Sequence, residues 1–483
     1  MKSTIVLGFA LMLMWFVQPQ ELLGQNRYDA LRYSQIQPGF DANSLALSGA
    51  SLTRYSGFGS IYQNPAVAAK ADKSEFSFGL DFRDVVEEST YRNTRTTFDD
   101  QQGGLSNFGY LFRFPTEQGS LVIGGGYNQL SNFNRASSFN VFNSDHSIVD
   151  YFVISPGDQY FETAFNTYLI DYDEVFDEYY NTLRADFRYR GMNQYMELKE
   201  RGTMGEFNLF LSTEFQQNFF VGGSVGIVTG SYDYERVFIE EDLRGNYRNA
   251  IYDISTILNE DRIEATVRGI NAKIGFMAEP VSGFRFGLNY TTRTKMDIDE
   301  RYSTFIRTDF YTQDDEGFSI YEDVFEGEVD YTVTRPSVLS VGVGFGLIPL
   351  IDVDLSVDRI NYSSVEMRGL GTINDRNENV SIRSDFQDVF NYRAGATLHL
   401  SDTFKPRIGY AIYGSPRREF DAEVRYLSAG ASFSISRNIM LDVGVQVAQF
   451  EDNLDVYDYG TGVASVGQNV ERVQGMVGLS FKF

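Results

Sequence analysis

Cysteine is absent from this 483-residue chain, histidine occurs twice and tryptophan once. Without cysteine there is no disulfide scaffold, no thiolate metal site and no cysteine nucleophile. Two histidines are too few for a common multi-histidine metal centre, and no cofactor is expected. Beyond the first 24 residues no stretch reaches the ~18 consecutive apolar residues of a membrane helix, so an integral membrane form has to be a closed barrel. Positive charge is also short: 41 Lys and Arg stand against 66 Asp and Glu, a net charge of −25. That balance excludes nucleic acid as a partner.

Glycine and aromatics are plentiful, with 44 Gly, 31 Tyr and 41 Phe against 10 Pro. Such a composition suits long strands with aromatic ends. Residues 1–24 have the layout of a secretory signal peptide: Lys2, an apolar run from Ile5 to Val17, then a polar segment ending at Gly24.

Period-2 alternation recurs along the rest of the chain in segments of roughly ten residues, the length of a tilted membrane strand. In the first, Phe76, Phe78, Leu80 and Phe82 share one face and Ser77, Gly79, Asp81 and Arg83 the other. In the second, Phe108, Tyr110, Phe112 and Phe114 oppose Asn107, Gly109 and Arg113. Fourteen such segments are expected, near 74–83, 107–114, 119–129, 205–215, 219–229, 265–278, 284–294, 331–347, 352–361, 389–400, 405–413, 423–435, 439–449 and 471–483. Short joints alternate with long ones, as periplasmic turns alternate with outer loops in bacterial barrels. The seven segments expected as outer loops (84–103, 130–203, 231–262, 295–328, 363–387, 414–422 and 451–470) hold 46 acids and 20 bases, so the acidity belongs to a water-facing crown. On this parity the odd residues of the last strand face lipid, and an arginine at Met476 is expected to cost less than one at Val477.

Residues 25–72 are irregular and rich in Gly, Ala and Ser, a make-up suited to plugging a lumen, since small side chains admit close backbone packing. The domain reading is therefore signal peptide 1–24, hatch 25–72 and barrel 73–483.

With Asn64-Pro65-Ala66 after this small-residue run, the chain resembles the FadL/TodX family of outer-membrane transporters for long-chain fatty acids and other hydrophobic compounds. Thr334-Arg335-Pro336-Ser337-Val338-Leu339-Ser340-Val341-Gly342, the run from Tyr392-Arg393-Ala394-Gly395-Ala396 through Arg407 to Pro416, and Tyr426-Leu427-Ser428-Ala429-Gly430-Ala431 are similar to family patterns as well. The resemblance implies an all-β transmembrane barrel of fourteen antiparallel strands in the outer membrane of a Gram-negative bacterium, with an N-terminal hatch plugging the lumen. It also implies a side exit where the third strand kinks inward, which directs attention to Gly124, Gly125 and Gly126.

Gly222-Gly223-Ser224-Val225-Gly226 fits a nucleophile elbow, but alternation continues through it, so a strand is expected and an enzyme is not. His146 and His399 are expected to be ordinary polar residues. The carboxylates from Asp171 to Glu178 could in principle ligate calcium. Phe161, Phe165, Leu169 and Phe176 recur at helical spacing there, however, placing the acids on the solvated flank of an amphipathic helix. A second short helix is expected over Asn249–Leu258, with Ile251, Ile254, Ile257 and Leu258 apolar, and the two helices together would form an external groove in which Phe161, Phe165, Leu169, Phe176, Ile251, Ile254 and Leu258 capture ligand. Inward parity collects Arg113, Lys273, Arg285, Arg293, Arg393 and Arg407 with several aspartates; most should pair, leaving Lys273, Arg393 and Arg407 as candidates to hold a ligand carboxylate.

Two functions remain open at this level. One is passive import of hydrophobic molecules or fatty acids by external capture, hatch displacement and lateral exit. The other is a non-transport barrel, a secretion-system accessory or surface-binding protein. Outer-membrane lipid and barrel-assembly machinery are the further expected partners, and a monomer is expected.

Overall fold

The protein is described by a computed structural model covering residues 25–154 and 159–483. The signal-peptide reading of 1–24 lies outside the described residues.

Fourteen antiparallel wall strands follow one another in chain order: β1 (Glu75–Tyr91), β2 (Thr94–Phe114), β3 (Leu121–Asn132, then Arg135–Asn143), β4 (Met192–Gln216), β5 (Phe219–Glu241), β6 (Ile254–Val281), β7 (Phe284–Thr291, then Thr294–Phe310), β8 (Ile320–Arg335, then Val338–Ile348), β9 (Ile351–Asn361, then Glu366–Arg368), β10 (Asp388–Leu398), β11 (Phe404–Tyr413), β12 (Val424–Ser436), β13 (Ile439–Asp458) and β14 (Val463–Lys482). Pairing of β1 with β14, from Glu75 opposite Lys482 to Thr90 opposite Gly467, closes the barrel. Closure gives every wall strand a partner strand on each side, as hydrocarbon demands. The expected parity holds: Tyr110, Phe112, Phe114 and Val477 face outward while Leu111 and Met476 are buried.

Strand length departs from expectation. β6 has 28 residues and β4 has 25, whereas ~9–11 suffice to cross a bilayer. The segments expected as outer loops at 84–103 and 295–328 are mostly strand, and the first reverses at Arg92-Asn93, whose φ values of 46° and 64° make a tight two-residue hairpin. Most outward positions of these upper strands are polar, with exceptions such as Phe305 opposite Val324, so they stand above the membrane as a crown. The crown has its own core, including Phe152, Tyr160, Leu169, Met196, Phe238 and Ile254.

Both expected loop helices are corrected. The first ends early: a helix covers Gln159–Asn166, Tyr168 adopts φ 61°, and Ile170–Asp173 pairs with Glu178–Asn181 as a small hairpin. The Asp173 side chain accepts hydrogen bonds from the backbone N–H of Val175 (2.8 Å) and Phe176 (3.2 Å), a local turn that outcompetes the helix. At Asn249–Leu258 there is strand from Ile254 onward. A register shift that skips Ser255 turns Ile254 and Ile257 to the same side, which imitates helical spacing.

Residues 25–72 fill the lumen. Helix α1 (Arg27–Ser34) begins with a capping box made by Asn26 and Asp29 and lies at the crown end, where Arg27 meets Asp385 at 2.7 Å. Helices α2 (Ala42–Ala46) and α3 (Phe58–Gln63), then a 3-10 turn at Pro65–Lys70, carry the chain down to β1. Inward-facing wall glycines make room for it: a Cβ on Gly222 would lie 2.5 Å from the carbonyl carbon of Pro65, and one on Gly287 2.7 Å from the carbonyl oxygen of Leu52.

Candidate functional site

The hatch is pinned at its lower end by the Asn64 side-chain amide, which donates to the carbonyls of Leu52 (2.9 Å) and of Phe276 in β6 (3.1 Å), while its oxygen accepts from the N–H of Ala66 (3.0 Å). Proline at the next position has no N–H to leave unpaired and starts the 3-10 turn. Arg54 reaches Asp352 at 3.0 Å and Asp354 at 3.2 Å, tying the hatch to β9.

Lumenal charges are mostly paired with one another. Lys273 binds Glu206, Arg393 binds Asp358, and Arg285 binds Asp352 and Asp354. Arg407 donates to the Ser432 hydroxyl at 2.5 Å. Met476 faces Ala42 and Leu45 of the hatch, so the lumen at this depth is filled with protein and the expectation of a mild Met476→Arg effect does not hold.

The third strand holds the main irregularity, one turn above the three glycines. Gly124, Gly125 and Gly126 keep both ladders, opposite Leu111, Tyr110 and Gly109 of β2 and opposite Phe210, Leu209 and Asn208 of β4. A Cβ on Gly124 or Gly126 would collide with the carbonyl oxygens of Tyr110 and Phe108, so these glycines permit a close strand approach. Pairing of β2 with β3 stops at Asn107 opposite Asn128. Above it, β2 pairs only with β1. A register shift falls between Gln129 and Ser131, and the upper piece of β3 turns inward to set Ser137 against Ser89 of β1 at 2.8 Å.

Between the separated strands is a cavity of about 300 Å³. Phe108, Tyr127 and Phe207 form its outer rim with ring centroids 5.0–6.2 Å apart. Its inner end carries Gln129, Asn132 and the buried pair of Arg83 with Asp81 at 2.7 Å. Hatch residues stand in for the missing ladder partner: Gln37 donates its N–H to the carbonyl of Leu130 (3.0 Å) and its amide to the carbonyl of Asn132 (3.1 Å), while Ser131 donates to the carbonyl of Gln35 (2.7 Å). Backbone that leaves a ladder inside a membrane wall needs such shelter. Sequence inspection missed Gln35 and Gln37; the Asn132-Phe133-Asn134 interruption in β3 was the available signal.

In the crown, the seven capture residues separate. Leu169 and Ile254 are fully buried and Phe161 packs against the same core. Leu258 is half-buried in β6, Phe165 stacks edge-on to Tyr179, and Phe176 and Ile251 are 67% and 71% exposed. The acids beside them serve turns and tyrosines: Asp177 accepts from Tyr172, and Asp171 from Tyr252. His146 stacks on Tyr459 at 4.0 Å, and His399 pairs with Asp352 at 2.7 Å.

Glu240 is buried in the crown, above the lipid-facing part of β5, and accepts hydrogen bonds from the Gln194 amide (2.6 Å), the Ser147 hydroxyl and the N–H of Ile148 (3.3 Å). Burial pushes its carboxyl up to about 7. A raised carboxyl contributes stability that is complete below the unfolded value and is lost as pH rises through about 7. Hydrogen exchange of residues 144–154, corrected for intrinsic rate, is therefore expected to quicken between pH 5 and pH 8. In Glu240→Gln that pH dependence should vanish.

A plugged fourteen-stranded barrel with an interrupted wall ladder has the build of an outer-membrane transport protein. The sequence profile of the outer membrane protein transport protein family (OMPP1/FadL/TodX) matches residues 181–475, well over half of the chain, and the chain belongs to that family. Its members are outer-membrane channels of Gram-negative bacteria and not enzymes. Among solved structures, a Pseudomonas aeruginosa FadL homologue is 12% identical over 93% of this chain and 99% of its own, with a TM-score of 0.59. The P. putida toluene transporter TodX is 12% identical over 92% and 99%, TM-score 0.56. The Ralstonia pickettii toluene transporter TbuX is 14% identical over 92% and 99%, TM-score 0.52. At such identities the likeness is one of fold. No curated protein matches the chain in sequence.

Proposed function

We propose that the chain imports hydrophobic compounds, such as long-chain fatty acids or aromatic hydrocarbons, passively across the outer membrane. Ligand is captured at the crown, the hatch moves, and the ligand leaves sideways through the gap between β2 and β3. The observation that carries this reading is the aromatic-rimmed cavity where the β2–β3 ladder ends. The same hatch segment that shelters the freed backbone of β3 blocks the way to the cavity, so displacing Gln35–Gln37 and the Asn64–Ala66 anchor below them would free the route. Gly124–Gly126 act in this scheme as the close-packed hinge beneath the gap. Lys273 and Arg393 contribute to lumen closure through their ion pairs, leaving Arg407 as the candidate for a carboxylate.

Uptake of a labelled long-chain fatty acid and of toluene, compared between a deletion strain and its complement, tests the reading; equal uptake of both would overturn it. For capture, Phe165, Phe176 and Ile251 are the exposed members of the set. Burying one such side chain against ligand is worth ~1.5–3 kcal/mol, so Phe165→Ala with Phe176→Ala is expected to weaken binding of a fluorescent fatty acid at least tenfold. A second reading, a surface-binding role, is favoured by one observation: Phe187 is 95% exposed and Val175 is 85% exposed on the acidic crown. That role alone predicts unchanged uptake on deletion.

A further inference from the structure

The bases of this acidic chain are not spread evenly over its outward face. Above the lipid-facing residues Ile270 and Ile274 of β6 and Tyr290 of β7, the first charged positions on those strands are Arg268, Arg293 and Lys295, and Arg368 of β9 lies beside them, all exposed; lower on β9, Arg359 stands opposite Leu339 of β8 and is paired with Asp388. Ladder pairing fixes their neighbourhood. Arg268 is opposite Asp297, Asp297 is opposite Thr332, and Thr332 is opposite Arg368, one row across four strands. Lys295 lies one step lower, opposite Ile270 and Thr334, and Arg293 comes within 3.7 Å of Glu366. Adjacent strands are ~4.8 Å apart, so the row spans roughly 15 Å. The four bases surround two acids, leaving the patch net positive beneath a crown segment in which acids outnumber bases by more than two to one.

We propose that this patch is a docking surface for the phosphorylated headgroup of an outer-leaflet glycolipid. Two observations select that occupant. The patch continues directly from the apolar band that faces lipid, which places it at headgroup depth. Its charge is opposite to that of the crown above, as phosphate requires. Guanidinium groups hold phosphate oxygens through paired N–H donors, and Lys295 adds a point charge. Acyl chains of the same lipid would lie on Ile270 and Ile274. Asp297 and Glu366 hold the side chains of Lys295, Arg293 and Arg368 near the surface, at 3.3 Å for Lys295 to Asp297.

The test is native mass spectrometry of the full-length barrel, released from a mild detergent after incubation with a diphosphorylated lipid A. The parent is expected to retain this lipid at least tenfold better than the dephosphorylated form. The combined variant Arg268→Gln, Arg293→Gln, Lys295→Gln, Arg368→Gln should lose that preference. A control with Arg201→Gln, Arg262→Gln, Arg307→Gln and Arg425→Gln should keep it. Because all eight side chains are on the outer surface, heat-modified gel mobility should show folded barrels in each case. Equal retention of the two lipids by the parent overturns the proposal, as does retention that survives the first variant or is lost in the control. Full displacement by millimolar inorganic phosphate would assign the site to free anion and also overturn it.

Discussion

An arginine at Val477 is expected to destabilise the folded barrel by about 2–4 kcal/mol, while one at Val463 on the same strand and the same face costs about 0–1 kcal/mol. Val477 is 42% exposed and sits in the middle of the outward run Val473, Val477, Phe481 of β14. Val463 is 39% exposed at the top of the strand, beside the hairpin at 459–462. Similar exposure removes burial as the difference and leaves only depth in the membrane. Urea titrations of refolding into lipid vesicles measure both. Equal destabilisation would mean that the lipid band does not run through Val477. Met476→Arg is no neutral control, since Met476 is 2% exposed and faces Ala42 and Leu45 of the hatch.

Within the membrane the fold was legible because each strand there has one lipid face and one lumen face, and parity alone identifies them. Fourteen segments, their short turns and the direction of Val477 and Met476 follow from that contrast. Above the membrane it disappears. On β7 and β8 Arg301 is opposite Glu328, Ser303 opposite Glu326 and Arg307 opposite Glu322, with Phe305 opposite Val324 between them, so polar residues dominate the outer face and hydropathy no longer distinguishes strand from loop. Spacing misled at Ile254 and Ile257 because one bulged residue shifts parity, and at Phe161–Phe176 because Asp173 closes a turn that no periodicity reveals. The candidate site was legible only to within a turn. Three consecutive glycines attract notice in a strand, yet in β3 they serve close approach, and the ladder is lost just above them, where Ser131, Asn132 and Asn134 offer short polar side chains and the hatch supplies hydrogen bonds from elsewhere in the chain.

Cross-linking β2 to β3 across the gap is expected to reduce uptake of a hydrophobic compound at least tenfold and to restore it on reduction. Leu105 and Gln129 line the cavity from opposite sides, Leu105 on the separated upper part of β2 and Gln129 at the register shift of β3. The chain has no cysteine of its own, so Leu105→Cys with Gln129→Cys presents two thiols and no others. A short bis-methanethiosulfonate bridges them without requiring the ~5.5–6 Å Cα separation of a direct disulfide. The bridge leaves the hatch, the crown and the lumenal ion pairs untouched, so a loss of uptake isolates the lateral step from capture. A bridge between two positions whose strands stay paired, such as Leu209→Cys with Val225→Cys across β4 and β5, should change nothing. If the bridged gap passes labelled fatty acid or toluene at the unbridged rate, ligand leaves the barrel by another way, and the hydrogen bonds of Gln37 to Leu130 and Asn132 serve only to finish a strand edge.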